Sequence, residues 1–535
     1  VTTDGTLTNT GRLEGRRLDL TADQLDNGGT LLGVDALTLA IAGTARNQAG
    51  GRFLSQGDGR LTAATLDNQG DWQSGRIDVT AGRVRNAGQV LGIAALTLTA
   101  DNALTNTGTG RLLTQGAAVL TAATAENDGD WQTGSLRLTA DRLRNGGRIH
   151  SDGDLVVTLP TADGDPLRRA ARQLAQDVQT LGAGELRNSG TLVADGDGRL
   201  TARQVDNQGS LASGGDLTLT AGAITNGGRV ESRTLSLTGD SLDNGGTLLA
   251  EQGGGLTLSD RLTVGESGRL LSNGDWQIQA GAVSSLGQWQ GKNLRLSADT
   301  LTHDGALQAE RDITLALTQD YTGGAGSQVR SNGAVTLTAD RVTQQGDIGG
   351  EWLTLTTGEL TNGGRLVGLS QLAVTSRGQL TNTADGALLG NGTAGITAAA
   401  LTNAGALQGD ALTVRAGTVD NAGNIQGTAA LTLDGVARYD GGADSRLLSG
   451  GAMTLALDAA DNGGVWQAGD LHFSGTSLTN RGQITGLNGL TIDATGLSNT
   501  GRLATQGRAT LRGRQFDNGG TLTALGDLTA DFGDG

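Results

Sequence analysis

Along most of the chain apolar and polar residues alternate in short runs, as in Leu66-x-Asn68-x-Gly70-x-Trp72 and Ile77-x-Val79. A period of two places successive side chains on opposite faces of an extended backbone, so the pattern predicts strands and not helix. The runs recur in a fixed unit, Leu-x-Asn-x-Gly-x-Leu followed by Leu-x-Leu-x-Ala. Its Asn falls at Asn9, Asn27, Asn47, Asn68, Asn86, Asn106, Asn127 and Asn145, then at Asn188, Asn207, Asn226 and Asn244. Ser285, His303 and Gln344 hold the slot in a weaker stretch, and it returns at Asn362, Asn382, Asn403, Asn421, Asn462, Asn480, Asn499 and Asn518. With eroded copies near Gly265, Gly323 and Gly441 there are about 26 units of 18 to 21 residues. The spacings repeat as 18, 20, 21, giving a 59-residue superperiod that Trp72 and Trp131 also obey.

Three short strands per unit fit this rhythm. Successive copies run in the same direction and lie too far apart for two-residue hairpins, so parallel stacking is the consistent solution. The expected fold is all-β: a parallel β-helix solenoid of about 26 coils, each unit one coil with inward Leu, Val and Ile. Gly and Asn are expected at corners, where positive φ is tolerated. Equivalent Asn side chains about 4.8 Å apart can donate and accept amide hydrogen bonds along a structural ladder. Counted as one buried hydrogen bond, each Asn is worth about 1 kcal/mol.

One interruption breaks the rhythm. Between Asn145 and Asn188 the spacing is 43 residues. The excess holds Asp165-Pro166, then Leu167, Ala170, Ala171, Leu174, Val178 and Leu181 at helical spacing, with Gly182 beyond. This predicts an amphipathic helix from Pro166 to Leu181 docked outside the coils, with Arg168, Arg169 and Arg172 left free for partner contact. The chain divides accordingly into coils at 1–159, an inserted helix at 160–184, and coils continuing the same solenoid at 185–535.

Composition narrows the function classes. Of 535 residues 91 are Gly, two are Pro and none is Cys, and Gly shows no three-residue period, which excludes collagen. There is no disulfide framework and no thiolate metal site. The net charge of −16 is spread without long like-charge blocks, and no basic stripe offers itself to phosphates, so nucleic acid is not an expected partner. No run of 18 apolar residues is present to span a bilayer, and Val1-Thr2-Thr3-Asp4 opens inside the repeat pattern, as expected of a fragment of a longer polypeptide.

Candidate chemistry is sparse. His150, His303 and His472 have no metal-ligand spacing, and His303 occupies an Asn slot, where a ladder substitute is the simpler reading. Asp195-Gly196-Asp197-Gly198 hints at Ca²⁺, yet the tandem nonapeptide of calcium β-rolls is missing. Trp72, Trp131, Trp289 and Trp466 each lie four residues after the Asn slot, where other coils carry Leu, Val or Ile, which favours core filling over a sugar platform. Nothing gathers acid, base and nucleophile in one place, so no catalytic residue, cofactor or metal ligand is assigned and no enzyme activity is expected.

With Leu7-Thr8-Asn9-Thr10-Gly11-Arg12-Leu13, Leu25-Asp26-Asn27-Gly28-Gly29-Thr30-Leu31 and Leu478-Thr479-Asn480-Arg481-Gly482-Gln483-Ile484, the chain resembles the haemagglutinin repeats of filamentous-haemagglutinin-like exoproteins. The resemblance implies a right-handed β-helix forming an extracellular shaft on a Gram-negative bacterium. It also implies two-partner secretion through an outer-membrane β-barrel transporter. Members of the family include adhesins and contact-dependent growth inhibition exoproteins that end in a toxin. The expected role is therefore a shaft of about 125 Å that projects a receptor-binding or toxin module. A surface that binds a cell-surface receptor directly is the alternative, and a polysaccharide-degrading β-helix enzyme is a more distant one.

Overall fold

The computed structural model describes residues 1–160 and 184–533, and among these there are strands and turns and no helix. No helix is long and apolar enough to cross a membrane among the described residues. The chain falls into two compact units, Val1–Gly274 and Asp275–Gly535. Each is a parallel β-solenoid, with about 26 turns in the chain as a whole.

In the first unit every turn contributes three strands, and each stacks on its equivalents in the turns before and after. Gln24–Asn27 pairs with Thr6–Asn9, and its Leu25, Asp26 and Asn27 pair with Ala45, Arg46 and Asn47 of the next turn. Thr30–Gly33 lies between Arg12–Gly15 and Arg52–Ser55. Ala36–Ile41 lies between Arg17–Ala22 and Asp58–Ala63. The alternation seen in the sequence delivers one inward residue from the first strand (Leu25, Leu66, Val84), one from the second (Leu31, Val90, Ile149) and two from the third (Leu37 and Leu39, Ile77 and Val79). All of these are buried. Units of unequal length stay in register because the extra residues fall at corners, as between Ile41 and Thr44. A single turn buries almost none of this surface alone, so stability comes from stacking.

The corners differ from expectation. Among the described residues no non-Gly residue has positive φ, and of the glycines only Gly50, Gly184, Gly253 and Gly435 do. The Gly two residues after the Asn is needed for close approach instead. A Cβ on Gly29 would stand 2.0 Å from the Gly11 carbonyl oxygen, and one on Gly88 would stand 2.1 Å from that of Gly70. Most such Gly lie against a Gly of the preceding turn, and Gly464 lies against Ser445.

The turns that carry Asn145 and Asn188 pair directly on all three faces. Arg142–Asn145 is in register with Glu185–Asn188, Arg148–Ser151 with Thr191–Ala194, and Leu155–Thr158 with Gly198–Thr201. The stack is thus continuous across the 43-residue spacing. The helix expected from Pro166 to Leu181, with Arg168, Arg169 and Arg172, lies outside the described residues.

The second unit repeats the plan, and the weak stretch of the sequence is structurally regular. Ser285, His303, Gly323, Gln344 and Asn362 stand in one column. Leu366 and Ile425 are buried on the second face.

Candidate functional site

The most repetitive polar feature is the column of Asn side chains at the first corner. Each Asn ends its strand with an inward side chain, because the two-residue alternation places it on the same face as the Leu two positions earlier. In the first unit each amide Nδ2 donates to the Oδ1 of the Asn one turn on, from Asn9 through Asn27, Asn47, Asn68, Asn86, Asn106, Asn127, Asn145, Asn188, Asn207 and Asn226 to Asn244, at 2.7 to 2.9 Å. The amide also caps the corner. Asn68 Nδ2 donates to the Gly70 carbonyl at 3.1 Å and reaches the Gln89 carbonyl of the next turn at 3.3 Å. These amides are buried. Aligned amide dipoles reinforce one another in such surroundings, whereas an unpaired one is costly.

In the second unit the column runs from Asn362 through Asn382 and Asn403 to Asn421, and again from Asn462 through Asn480 and Asn499 to Asn518. Between these runs the slot is Gly441, and the hydroxyl of Tyr439 takes the place of the missing amide, accepting from Asn421 Nδ2 at 3.3 Å. A Cβ on Gly441 would lie 2.8 Å from Cε1 of that ring. Tyr321, Gly323 and Ser327 repeat the arrangement of Tyr439, Gly441 and Ser445 at a distance of two superperiods, and these are the only two Tyr in the chain. Burial pushes both phenols above the ordinary range, so both stay protonated, but of the two only the Tyr439 hydroxyl bonds a column amide. Gly323 and Gly441, eroded copies by sequence alone, thus each belong to a Tyr-x-Gly-x-x-x-Ser corner. The available signal was a Tyr two residues before the Gly and a Ser four after it.

Elsewhere in this column the substitutes bond poorly. Ser285 Oγ, both amide atoms of Gln344 and Asn362 Oδ1 are buried without a hydrogen-bond partner. His303 is fully buried, with Nε2 3.4 Å from the Gln328 carbonyl, and desolvation lowers its pKa, so the ring is neutral.

Trp72, Trp131, Trp289 and Trp466 are buried. Room for Trp72 comes from the opposite face of the preceding turn, where Gly59 replaces the usual Leu; a Cβ there would stand 2.9 Å from the indole nitrogen. Phe53 packs edge-on against Trp72 at 5.5 Å, and Ser74 accepts its N–H at 3.1 Å.

Two surface features carry other chemistry. In the second unit a groove of about 490 Å³ opens where Gly349 leaves out a side chain between Arg330 and Val367, with Gln308, Glu310, Asp347 and Leu369 around it. Trp352 nearby is half exposed. In the first unit His150, Asp152 and Asp195 converge. The Arg–carboxylate pairs between turns, such as Arg85–Asp67 at 3.3 Å and Arg144–Asp128 at 2.6 Å, are exposed, where each contributes little.

Comparison with known proteins places these features in context. The family model described as haemagglutinin repeat matches residues 1–108, 93–158, 169–287 and 291–384. The chain is 71% identical over 525 residues to a protein named "Deoxyribonuclease CdiA" from Dickeya dadantii (strain 3937), covering 90% of this chain and 16% of the relative. It is 35% identical over 392 residues to "16S rRNA endonuclease CdiA" from Enterobacter cloacae subsp. cloacae, covering 71% of this chain and 11% of the relative. To "Toxin CdiA" from Escherichia coli it is 30% identical over 578 residues, covering 98% of this chain and 17% of the relative. The chain therefore spans less than a fifth of the length of these relatives. No solved structure matches.

Proposed function

Because the chain belongs to the haemagglutinin-repeat family, we propose that it is a structural segment of a secreted, cell-surface filamentous exoprotein, a shaft that holds a receptor-binding or toxin module away from the producing cell. The observation that carries this reading is the uniformity of the turns: three strand ladders repeat through each unit, with a polar column at most levels of one corner. An enzyme of β-helix type needs an acid–base cleft raised on long loops of several neighbouring turns, and the corners of the described turns are short.

The relatives support a non-enzymatic role for the segment in a second way. Their names specify different activities, a deoxyribonuclease in one and a 16S rRNA endonuclease in another, yet both share this repeat sequence. An activity that changes while the segment is retained belongs elsewhere in those proteins. The anionic surface fits this assignment, since it repels nucleic acid.

The family implies export through an outer-membrane β-barrel transporter of a Gram-negative bacterium. Each emerging turn adds its strands to the last one formed, and the absence of Cys removes disulfide traps. The direct test is excision of one superperiod, residues 68–126, from the full-length exoprotein, which rejoins equivalent positions. A shaft predicts normal export and a folded product with shorter reach in a cell-contact assay. Loss of export or of folding would refute it.

A second reading, direct adhesion to a cell-surface receptor, is favoured by one observation, the groove at Gly349 with Leu369 exposed in its lining. Binding of the isolated chain to target cells that is lost on filling the groove with Gly349→Arg would select it over the shaft.

A further inference from the structure

We propose that His150, Asp152 and Asp195 form a binding site for a first-row divalent metal ion of the Zn²⁺ type. The three side chains come from two successive turns. His150 points outward from the second strand of its turn, Asp152 follows at the corner, and Asp195 occupies the corner one turn on. His150 Nε2 lies 3.0 Å from Asp152 Oδ1 and 3.6 Å from Asp195 Oδ2, and the three ligand atoms are all within 4.8 Å of one another. An ion about 2.0 to 2.2 Å from each of its ligands holds neighbouring ligands roughly 2.8 to 3.6 Å apart in octahedral or tetrahedral arrangement. The two measured separations from the imidazole nitrogen fall in that range.

Charge points the same way. Two carboxylates aim at one ring nitrogen, and a neutral imidazole has a single N–H to offer there. Two anions converging on one point repel unless a cation lies between them. The imidazole is held in place: its side chain is only 14% exposed, and it stands in register between Gln132 and Val193.

The corner itself separates the ligands from the acids that build the fold. Asp152-Gly153-Asp154 and Asp195-Gly196-Asp197 are equivalent corners of adjacent turns. In each the second Asp is engaged with the backbone of the next turn: Asp154 Oδ1 accepts the Asp197 N–H at 3.1 Å, and Asp197 Oδ1 accepts the Asp216 N–H at 2.9 Å. The first Asp of each corner faces His150 instead. This arrangement also replaces the calcium reading of Asp195-Gly196-Asp197-Gly198, because Asp197 serves the corner and the remaining ligand set contains an imidazole nitrogen. Hard cations such as Ca²⁺ take oxygen ligands, whereas imidazole with carboxylate suits Zn²⁺ and its neighbours. Three protein ligands at the surface leave coordination positions open to water or to an incoming donor.

The location gives the ion a structural task. Other adjacent turns are 18 to 21 residues apart along the chain, whereas the turns joined here are separated by 43 residues. Closing that longer loop costs more chain entropy than closing an ordinary turn. A metal bridging His150 and Asp152 to Asp195 would fasten the two turns where the covalent path between them is longest.

The test is zinc titration of the untagged, chelator-stripped chain against a chromogenic zinc indicator, alongside thermal unfolding. The expected result is saturable uptake of one Zn²⁺ per chain that millimolar Ca²⁺ does not displace. It should weaken at least 10-fold in Asp195→Asn and in His150→Gln, with zinc raising the melting temperature of the parent only. Absence of saturable uptake would overturn the site, as would uptake by either variant with the affinity of the parent. Variants that change the pH dependence of melting without any effect of zinc would assign the cluster to a proton, and the metal site would fall.

Discussion

Replacing Asn106 by Ala in the middle of the first unit gives the sharpest measure of what the polar column contributes. Asn106 Nδ2 donates to Asn127 Oδ1 at 2.9 Å and to the Gly110 carbonyl at 3.0 Å, while its Oδ1 accepts from Asn86 at 2.8 Å. Truncation removes three buried hydrogen bonds, about 1 kcal/mol each. The groups left behind are not equally stranded. The Gly110 carbonyl keeps the Asp130 N–H, and Asn86 Nδ2 keeps the carbonyls of Gly88 and Arg111, but Asn127 Oδ1 loses its amide donor inside the core. The expected cost is therefore about 3 to 4 kcal/mol, well above the value for one bond. Asn518→Ala is the control, because that residue is exposed and accepts a single amide bond, from Asn499 at 2.6 Å. It should cost about 1 kcal/mol or less. Urea unfolding followed by the fluorescence of the six Trp, five of them buried, reports the global effect. Amide hydrogen exchange in the 86–127 segment reports the local effect, which matters because solenoids can unfold in parts. If Asn106→Ala and Asn518→Ala cost the same within about 0.5 kcal/mol, the column is ornamental and the reasoning fails.

Four further outcomes follow from the same geometry. Gly441→Asn alone should destabilise the second unit, because its Cβ meets the Tyr439 ring at 2.8 Å; adding Tyr439→Leu should restore stability by extending the Asn column, as read by urea midpoints. Gly88→Ala should lower the melting temperature by several degrees, while Gly11→Ala, where a Cβ meets nothing within 4 Å, should leave it unchanged. His303 has a folded pKa below its ordinary value of 6.5, so the unfolded chain binds the extra proton first. Its contribution to stability is complete above about pH 6.5 and falls as the pH drops below that, and His303→Asn should flatten this part of the urea-midpoint profile. Deleting residues 161–183 should leave the strands on either side folded, since Leu155–Thr158 and Glu185–Asn188 are already paired with their neighbouring turns; circular dichroism and exchange protection at 142–205 check it.

The period, the number of strands per turn, their parallel stacking and the inward slots of Leu25, Leu66, Val84 and Leu366 are all legible in the repeat. In a solenoid the neighbour of each residue is its equivalent 18 to 21 positions away, so a one-dimensional repeat already states which residues meet along a face. The Asn slots were legible for the same reason. What the repeat does not encode is contact between faces, or between turns whose spacing is irregular, and these the tertiary structure decided. Gly59 makes room for Trp72 from a different face. The Tyr439 hydroxyl reaches a position that belongs to the residue two places further on. The glycines after the Asn answer to the carbonyl of the turn before and not to their own φ. His150 meets Asp195 because the stack closes in register over a 43-residue spacing that the 18-to-21-residue repeat does not contain. Periodicity fixes neighbours one turn away on the same face, and side-chain size and loop closure fix the rest.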